Sequence, residues 1–217
     1  MVFCWCPPAP EGKLPGFWLG KHLVTQAQWA ALGLENRSHF HESSQQPVDN
    51  ASWEDAGEFA QRSQAVMPAG QELWLPAEAQ WERACRAGRD LDFGIGSGRS
   101  LNSQLANFHG NYPEGENAFQ WLYREKTLPV GCFPPNAWGL HDMHGQLWEW
   151  CAERYDKEGD YRVLRGGSWN NGGGGAAASI RNRCEPQFRG EVIGLRVSPS
   201  SIQFRKKSVT RTGAERK

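Results

Sequence analysis

The chain has 217 residues, enough for one large domain with a good core, and its 24 basic groups balance its 24 acidic groups. No global field therefore draws it to nucleic acid or to a membrane surface, and no apolar run approaches the length that spans a bilayer. Six of the basic groups, but only Glu215 of the acidic ones, lie from Arg205 onward, so residues 199–217 read as a basic, flexible tail behind a net-negative body.

Residues 1–13 read as an N-terminal extension. They lack the basic start and long apolar stretch of a signal peptide, which makes the expected location cytoplasmic and leaves display on a surface through a partner open. Six cysteines (Cys4, Cys6, Cys85, Cys132, Cys151 and Cys184) are scattered with no C-x-x-C pair, as reduced thiols would be. A strand is predicted over 17–21. A helix over 25–32 takes Thr25 as its N-cap. A second helix, over 52–67, opens on Ser52 and Asp55 as a capping box and places Trp53, Ala56, Phe59 and Ala60 on one apolar face. A third begins at Pro76, sets Trp81 and Cys85 one turn apart and stops at Gly88. Beyond it only short strands are predicted, at 147–151, 161–165 and 194–197. Eleven tryptophans and 25 glycines mark a domain anchored by large aromatics and tight turns rather than by long regular elements. His39 and His41 form the tightest histidine pair, on an Asn/Ser-rich stretch that reads as a turn.

Residues 170–192 follow no helical or strand period. Four glycines (172–175) run into three alanines (176–178), and then come an Arg/Asn alternation and an arbitrary-looking set of side chains. Both flanks are dense in structure-forming residues. Such a segment reads as a surface presented by a scaffold indifferent to its contents, so replacing 172–178 is expected to leave stability unchanged.

Six motifs carry a family resemblance. They are Phe17-Trp-Leu-Gly-Lys-His-Leu-Val-Thr-Gln-Ala-Gln-Trp29, Gln46-Pro-Val-Asp-Asn-Ala-Ser-Trp53, Leu75-Pro-Ala-Glu-Ala-Gln-Trp-Glu-Arg-Ala-Cys-Arg-Ala-Gly88, Pro135-Asn-Ala-Trp-Gly-Leu-His-Asp-Met-His-Gly-Gln-Leu-Trp-Glu-Trp150, Arg162-Val-Leu-Arg-Gly-Gly-Ser-Trp169 and Ile193-Gly-Leu-Arg-Val197. In this order they resemble the formylglycine-generating-enzyme (sulfatase-modifying factor) family over 14–198. The resemblance implies an α+β, C-type-lectin-like fold with few helices, short antiparallel strands and much irregular backbone.

The oxidases of that family bind copper through two cysteines after the Gly-Gly-Ser-Trp block. By spacing from Trp169 the matching positions hold Asn171 and Ala176, so no copper is expected. The His-x-x-x-His-x-Glu helical domain of the sulfoxide synthases has no counterpart in the chain. The chain is more similar to the variable proteins of diversity-generating retroelements, whose C-terminal segment, about 168–196 here, is rewritten by adenine-specific mutagenesis. Ser179, Ile180, Cys184, Phe188, Gly190 and Val192 are all reachable from AAC codons, whereas Gln187 and Glu191 have to be template-fixed. This resemblance implies a hypervariable binding surface of Trp169, Asn170, Asn171, Gly173, Ala176, Ala178, Ile180, Asn182, Cys184, Phe188, Gly190 and Val192, facing a macromolecular ligand, a protein rather than a nucleic acid. The family also implies calcium held by Asn107, Phe108, Asn117 and Phe119 and by His144, Gly145, Leu147 and Glu149. A salt bridge from Glu149 to a core arginine is the competing reading of the second set. Two function classes stay open: a display protein, and an enzyme of the formylglycine-generating type or an inactive paralogue of one.

Overall fold

A computed structural model of the chain describes residues 1–10, 12–115 and 122–201. The first strand, β1 (Phe3–Cys6), pairs antiparallel with β2 (Phe17–Gly20) and buries Cys6. The segment 1–13 is thus no mere extension, because its alternate residues complete the second core cluster. α1 (Gln26–Ala31) starts at the Thr25 cap, whose hydroxyl accepts from Gln28 N while the Gln28 side chain accepts from Thr25 N. α2 (Trp53–Ser63) has the same reciprocal box between Ser52 and Asp55 and ends four residues before the predicted stop. There the Ser63 hydroxyl donates to Ala60 O and accepts from Leu73 N, tying the helix end to β3 (Gln71–Trp74). α3 (Glu78–Arg86) begins two residues after Pro76, because the Pro76 carbonyl is taken by Ala152 N in a neighbouring strand. Its first N–H groups bond to the Gln80 and Glu153 side chains.

Two short strands, β4 (Ser100–Leu101) and β5 (Glu114–Gly115), pair with each other. The larger sheet is built from β6 (Trp148–Arg154), β7 (Arg162–Arg165), β8 (Arg181–Cys184) and β9 (Ile193–Gly194), in the order β8-β7-β6-β9. β9 runs parallel to β6, and the other neighbours are antiparallel. β10 (Ser198–Ser201) pairs with β3, so the first residues of the expected tail belong to a sheet. The rest of the tail, from 202, lies outside the described residues.

The chain between β7 and β9 therefore forms the edge strand β8 and then crosses to the opposite edge of the sheet. The main core cluster lies between the sheet and the first two helices, where Trp150, Phe59, Trp74, Leu164 and Leu195 pack together with Trp29. A second cluster gathers Trp81, Cys85, Met143, Cys151 and Val163 around α3.

Candidate ligand-binding surface

Residues 166–192 leave β7 through two left-handed glycines. Gly167 has φ of 73°, and a Cβ there would stand 3.0 Å from the Ala176 Cα, so glycine lets the chain fold back on itself. A short 3-10 turn follows, over Gly173–Ala176. Ala176 and Ala178 are completely buried, Ala177 nearly so, and Gly173 is buried against the backbone of Glu114. Ala176 and Ala177 pack with Phe93, Leu101 and Phe108, and Ala178 packs beside Trp81. Gly173, Ala176 and Ala178 are accordingly scaffold, not surface. The Gly/Ala run has small side chains because there is no room for larger ones. The packing of Gly173, Ala176, Ala177 and Ala178 argues against the expectation that 172–178 tolerates replacement.

Arg165 secures the next stretch. Its buried guanidinium donates to the carbonyls of Ala178, Ser179 and Ile180 at 2.7–3.1 Å and to Glu82 at 2.6 Å. Beyond this clamp the side chains turn outward. β8 is an edge strand with Arg181, Asn182 and Arg183 exposed. Phe188 is 47 % exposed, its ring folded over Gly190, where a Cβ would come within 2.9 Å of it.

Six of the residues named from the sequence meet at one place. Asn170, Asn171, Asn182, Cys184, Phe188 and Val192 line an open pocket of about 300 Å³ with Ser168, Arg183 and the sheet residues Trp148, Leu164 and Ile193. Its floor is apolar and built from β6, β7 and β9, while its rim is three amides and a guanidinium. Burial pushes the Cys184 thiol upward, so it stands in the wall as a neutral thiol. Ile180 is exposed but outside this pocket, and Gly190 serves by its carbonyl, which accepts from Asn50 N and Ile193 N. Trp169 is 7 % exposed, with Phe40 edge-on at 5.4 Å and its Nε1 donating to Glu191 O, so it is a scaffold ring rather than a presented anchor. Sequence reasoning missed Arg183, Ser168 and the three sheet residues. Arg183 alone had a local signal, the Arg/Asn alternation of an edge strand.

At the thiol positions of the oxidases, Asn171 Oδ1 accepts from the Ser168 N–H and hydroxyl, and Ala176 presents only a buried methyl. The expected calcium sets divide. Arg196 donates to both Glu149 oxygens in three bonds of 2.8–3.2 Å, Trp81 Nε1 adds a fourth at 2.7 Å, and the pair is sealed from solvent. Burial opposes the Arg196 charge, but the Glu149 carboxylate more than offsets this and holds its pKa above the usual value. The His144 ring is spent as well. Nδ1 lies 2.8 Å from Ala176 O, Nε2 accepts from Gly94 N, and burial pulls the pKa down to about 4, leaving the ring neutral. Gly145 O accepts from Leu147 N. The Glu149 carboxylate is thus taken up by Arg196 and Trp81, as the salt-bridge reading of this residue expects. In the first set Asn107 Oδ1 is buried without a donor, the kind of oxygen a hard cation takes, and Phe108 is buried beside it. Asn117 and Phe119 lie outside the described residues. Among the described residues no three His, Cys, Asp or Glu side chains are grouped to hold a metal ion, and no helix is long and apolar enough to cross a membrane.

A family model described as the sulfatase-modifying factor enzyme 1-like domain matches residues 6–200. The chain belongs to this family. It is 32 % identical over 171 residues to the mouse protein called inactive C-alpha-formylglycine-generating enzyme 2, covering 76 % of this chain and 52 % of that one. It is 35 % identical over 136 residues to mouse formylglycine-generating enzyme, covering 60 % of this chain and 33 % of that one. The chain thus spans about half the length, or less, of these curated relatives. Among solved structures, Treponema denticola variable protein 1 superposes with a TM-score of 0.72 at 22 % identity, over 85 % of this chain and 84 % of that one. PvdO from Pseudomonas aeruginosa superposes with a TM-score of 0.71 at 22 % identity, over 86 % and 81 %. The fold is the α+β, C-type-lectin-like fold of the formylglycine-generating-enzyme type.

Proposed function

We propose that this chain is a binding protein that presents the pocket of Asn170, Asn171, Asn182, Arg183, Cys184, Phe188 and Val192 to a protein ligand, and that a retroelement diversifies these residues. The observation that carries the reading is their convergence. Side chains with no periodicity in sequence share one pocket, over a sheet whose own residues supply its floor. Amides and an arginine on the rim adapt to different partners, while Phe188 supplies the apolar anchor. The shared fold with a protein named for its variability supports the reading. The surrounding DNA tests its genetic half: a reverse transcriptase should lie beside a near-copy of the 165–197 coding segment, with adenines at the differing sites.

The binding half rests on Phe188. Phe188→Ala should weaken a partner isolated by pull-down by about 2 kcal/mol, as a hot-spot loss does, and leave the circular dichroism spectrum and melting temperature intact. Deleting the tail from Arg205 should remove only salt-sensitive, non-specific association. Loss of binding on tail deletion, with Phe188→Ala neutral, would place recognition at the wrong end of the domain.

The second reading is an oxidoreductase or an inactive paralogue, and the relative named as an inactive enzyme favours the latter. With Asn171 and Ala176 in place of thiols, the purified chain should not convert a Cys-x-Pro-x-Arg peptide to formylglycine in the presence of copper and oxygen. Mass spectrometry reads the aldehyde directly, and turnover above a metal-free control would overturn the display reading. The buried Oδ1 of Asn107, which has no donor, supports calcium at the Asn107 set.

A further inference from the structure

The donors and acceptors on the pocket rim are out of balance. All three rim amides have their oxygens bound within the chain. The Tyr123 hydroxyl donates to Asn170 Oδ1 at 2.7 Å, the Ser168 N–H and hydroxyl donate to Asn171 Oδ1 at 3.1 and 2.7 Å, and Arg183 N donates to Asn182 Oδ1 at 2.8 Å. At Asn171 and Asn182 the donor is a backbone N–H, which only the amide oxygen can meet, so the orientation of both amides is fixed. Each amide nitrogen still carries two N–H donors, and none of the three bonds to another group among the described residues. Asn170 and Asn182 are exposed and Asn171 is half-buried, so these donors are left for water or for a ligand.

The rest of the rim adds no acceptor of weight. The Ser168 hydroxyl is spent in both directions, donating to Asn171 and accepting from Asn170 N at 3.4 Å. No carboxylate lines the pocket, and its single charge is the Arg183 guanidinium. Asp156 at 3.0 Å and the Tyr155 and Tyr161 rings engage that group, which leaves the amides as what the rim has to give. A rim that gives hydrogen bonds and takes none suits a ligand group that only accepts. The carboxylate is the acceptor-only group of proteins, and its two oxygens take several bonds at once. Below the rim, Trp148, Leu164, Val192 and Ile193 make an apolar floor and Phe188 an apolar wall. The matching occupant is a carboxylate joined closely to an apolar body.

We propose that in this variant the pocket captures the C-terminus of the protein partner, with an apolar last side chain on the floor and the free carboxylate at the donor rim of Asn170, Asn171 and Asn182. The inference rests on the display reading and names the part of the partner that enters this same pocket. One terminal residue supplies both halves of the match. An aspartate or glutamate side chain fits less well, because its carboxylate ends a short stem that buries little apolar surface.

The test uses small probes on the full chain labelled with nitrogen-15, in which the side-chain amide signals of Asn170, Asn171 and Asn182 report on the rim directly. N-acetyl-leucine carries the free carboxylate, N-acetyl-leucine amide is its neutral counterpart, and N-acetyl-glutamic acid α-amide carries the carboxylate on a side chain. N-acetyl-leucine should shift these signals and bind about fivefold more tightly than its amide, the step from a neutral to a charged hydrogen-bond acceptor. It should also bind more tightly than the glutamic acid probe. Asn170→Asp and Asn182→Asp keep the oxygen that the Tyr123 hydroxyl and Arg183 N bond, and replace the donor by a second acceptor. Each should erase the preference for the acid over the amide at unchanged melting temperature. Equal binding of acid and amide would overturn the proposal. So would a preference that survives both substitutions, or rim signals that N-acetyl-leucine does not move at its highest soluble concentration. Tighter binding of the glutamic acid probe would give the pocket to acidic side chains and overturn the terminal assignment. The two readings fail separately: a pulled-down partner whose binding depends on Phe188 but survives amidation of its C-terminus would keep the display reading and sink this one.

Discussion

Arg196→Met is expected to lower the free energy of unfolding by about 3–5 kcal/mol, because it leaves the Glu149 carboxylate buried with Trp81 Nε1 as its remaining partner. The same change strips donors from Gly20 O and His141 O. In a domain of this length the loss should appear as a fall in melting temperature on the order of 10 °C. Adding Glu149→Gln should recover most of it, since the double variant buries no charge and glutamine still offers Trp81 an acceptor. Thermal unfolding of the two variants reads both effects. A small loss in Arg196→Met, together with a melting temperature that calcium raises, would contradict the assignment of Glu149 to the ion pair.

Trp150→Ala should be equally severe. The ring is fully buried at the centre of the largest cluster, and its Nε1 donates to Ala51 O at 2.9 Å. Removing it opens a cavity beneath the sheet and leaves that carbonyl without its donor, at an expected cost of about 3–5 kcal/mol. Because β6 and β7 also carry Trp148 and Leu164, which floor the pocket, denaturant titration should report the loss of stability and loss of ligand binding together. A melting temperature within a few degrees of the parent would show that this tryptophan is not a pillar of the sheet.

Local chemistry made the helices legible. Thr25 caps its helix as read, with Gln28 completing a capping box, and the box of Ser52 with Asp55 closes in the structure. The strands were legible only where alternation survives. β8, with the sequence Arg-Asn-Arg-Cys, is an edge strand of mostly exposed side chains, so no apolar period marks it. The Gly/Ala run misled for a different reason. Its side chains are too small to form a pattern, yet residues 176–178 fill a tight space against Phe93, Phe108 and Trp81. Burial there is dictated by the neighbours and cannot be seen in the segment itself. The partner of Glu149 was equally out of reach of the local sequence, since Arg196 lies 47 residues away in the chain. Tyr123 at Asn170 and Tyr112 at Gly173 are likewise brought there by topology alone.

The central claim is that the scaffold tolerates change at the pocket and resists it at the turn that precedes the pocket. Two libraries test this most directly. One randomises Asn170, Asn182, Arg183 and Phe188, and the other randomises Ala176, Ala177 and Ala178. Each is sorted for folded protein by resistance to a protease. Most members of the first library should survive, since exposed substitutions shift stability by roughly 0.5 kcal/mol or less. Most members of the second should be lost, since each enlarged side chain in a packed core is destabilising by about 1–3 kcal/mol. Equal survival of the two libraries, or greater loss from the first, would contradict the account.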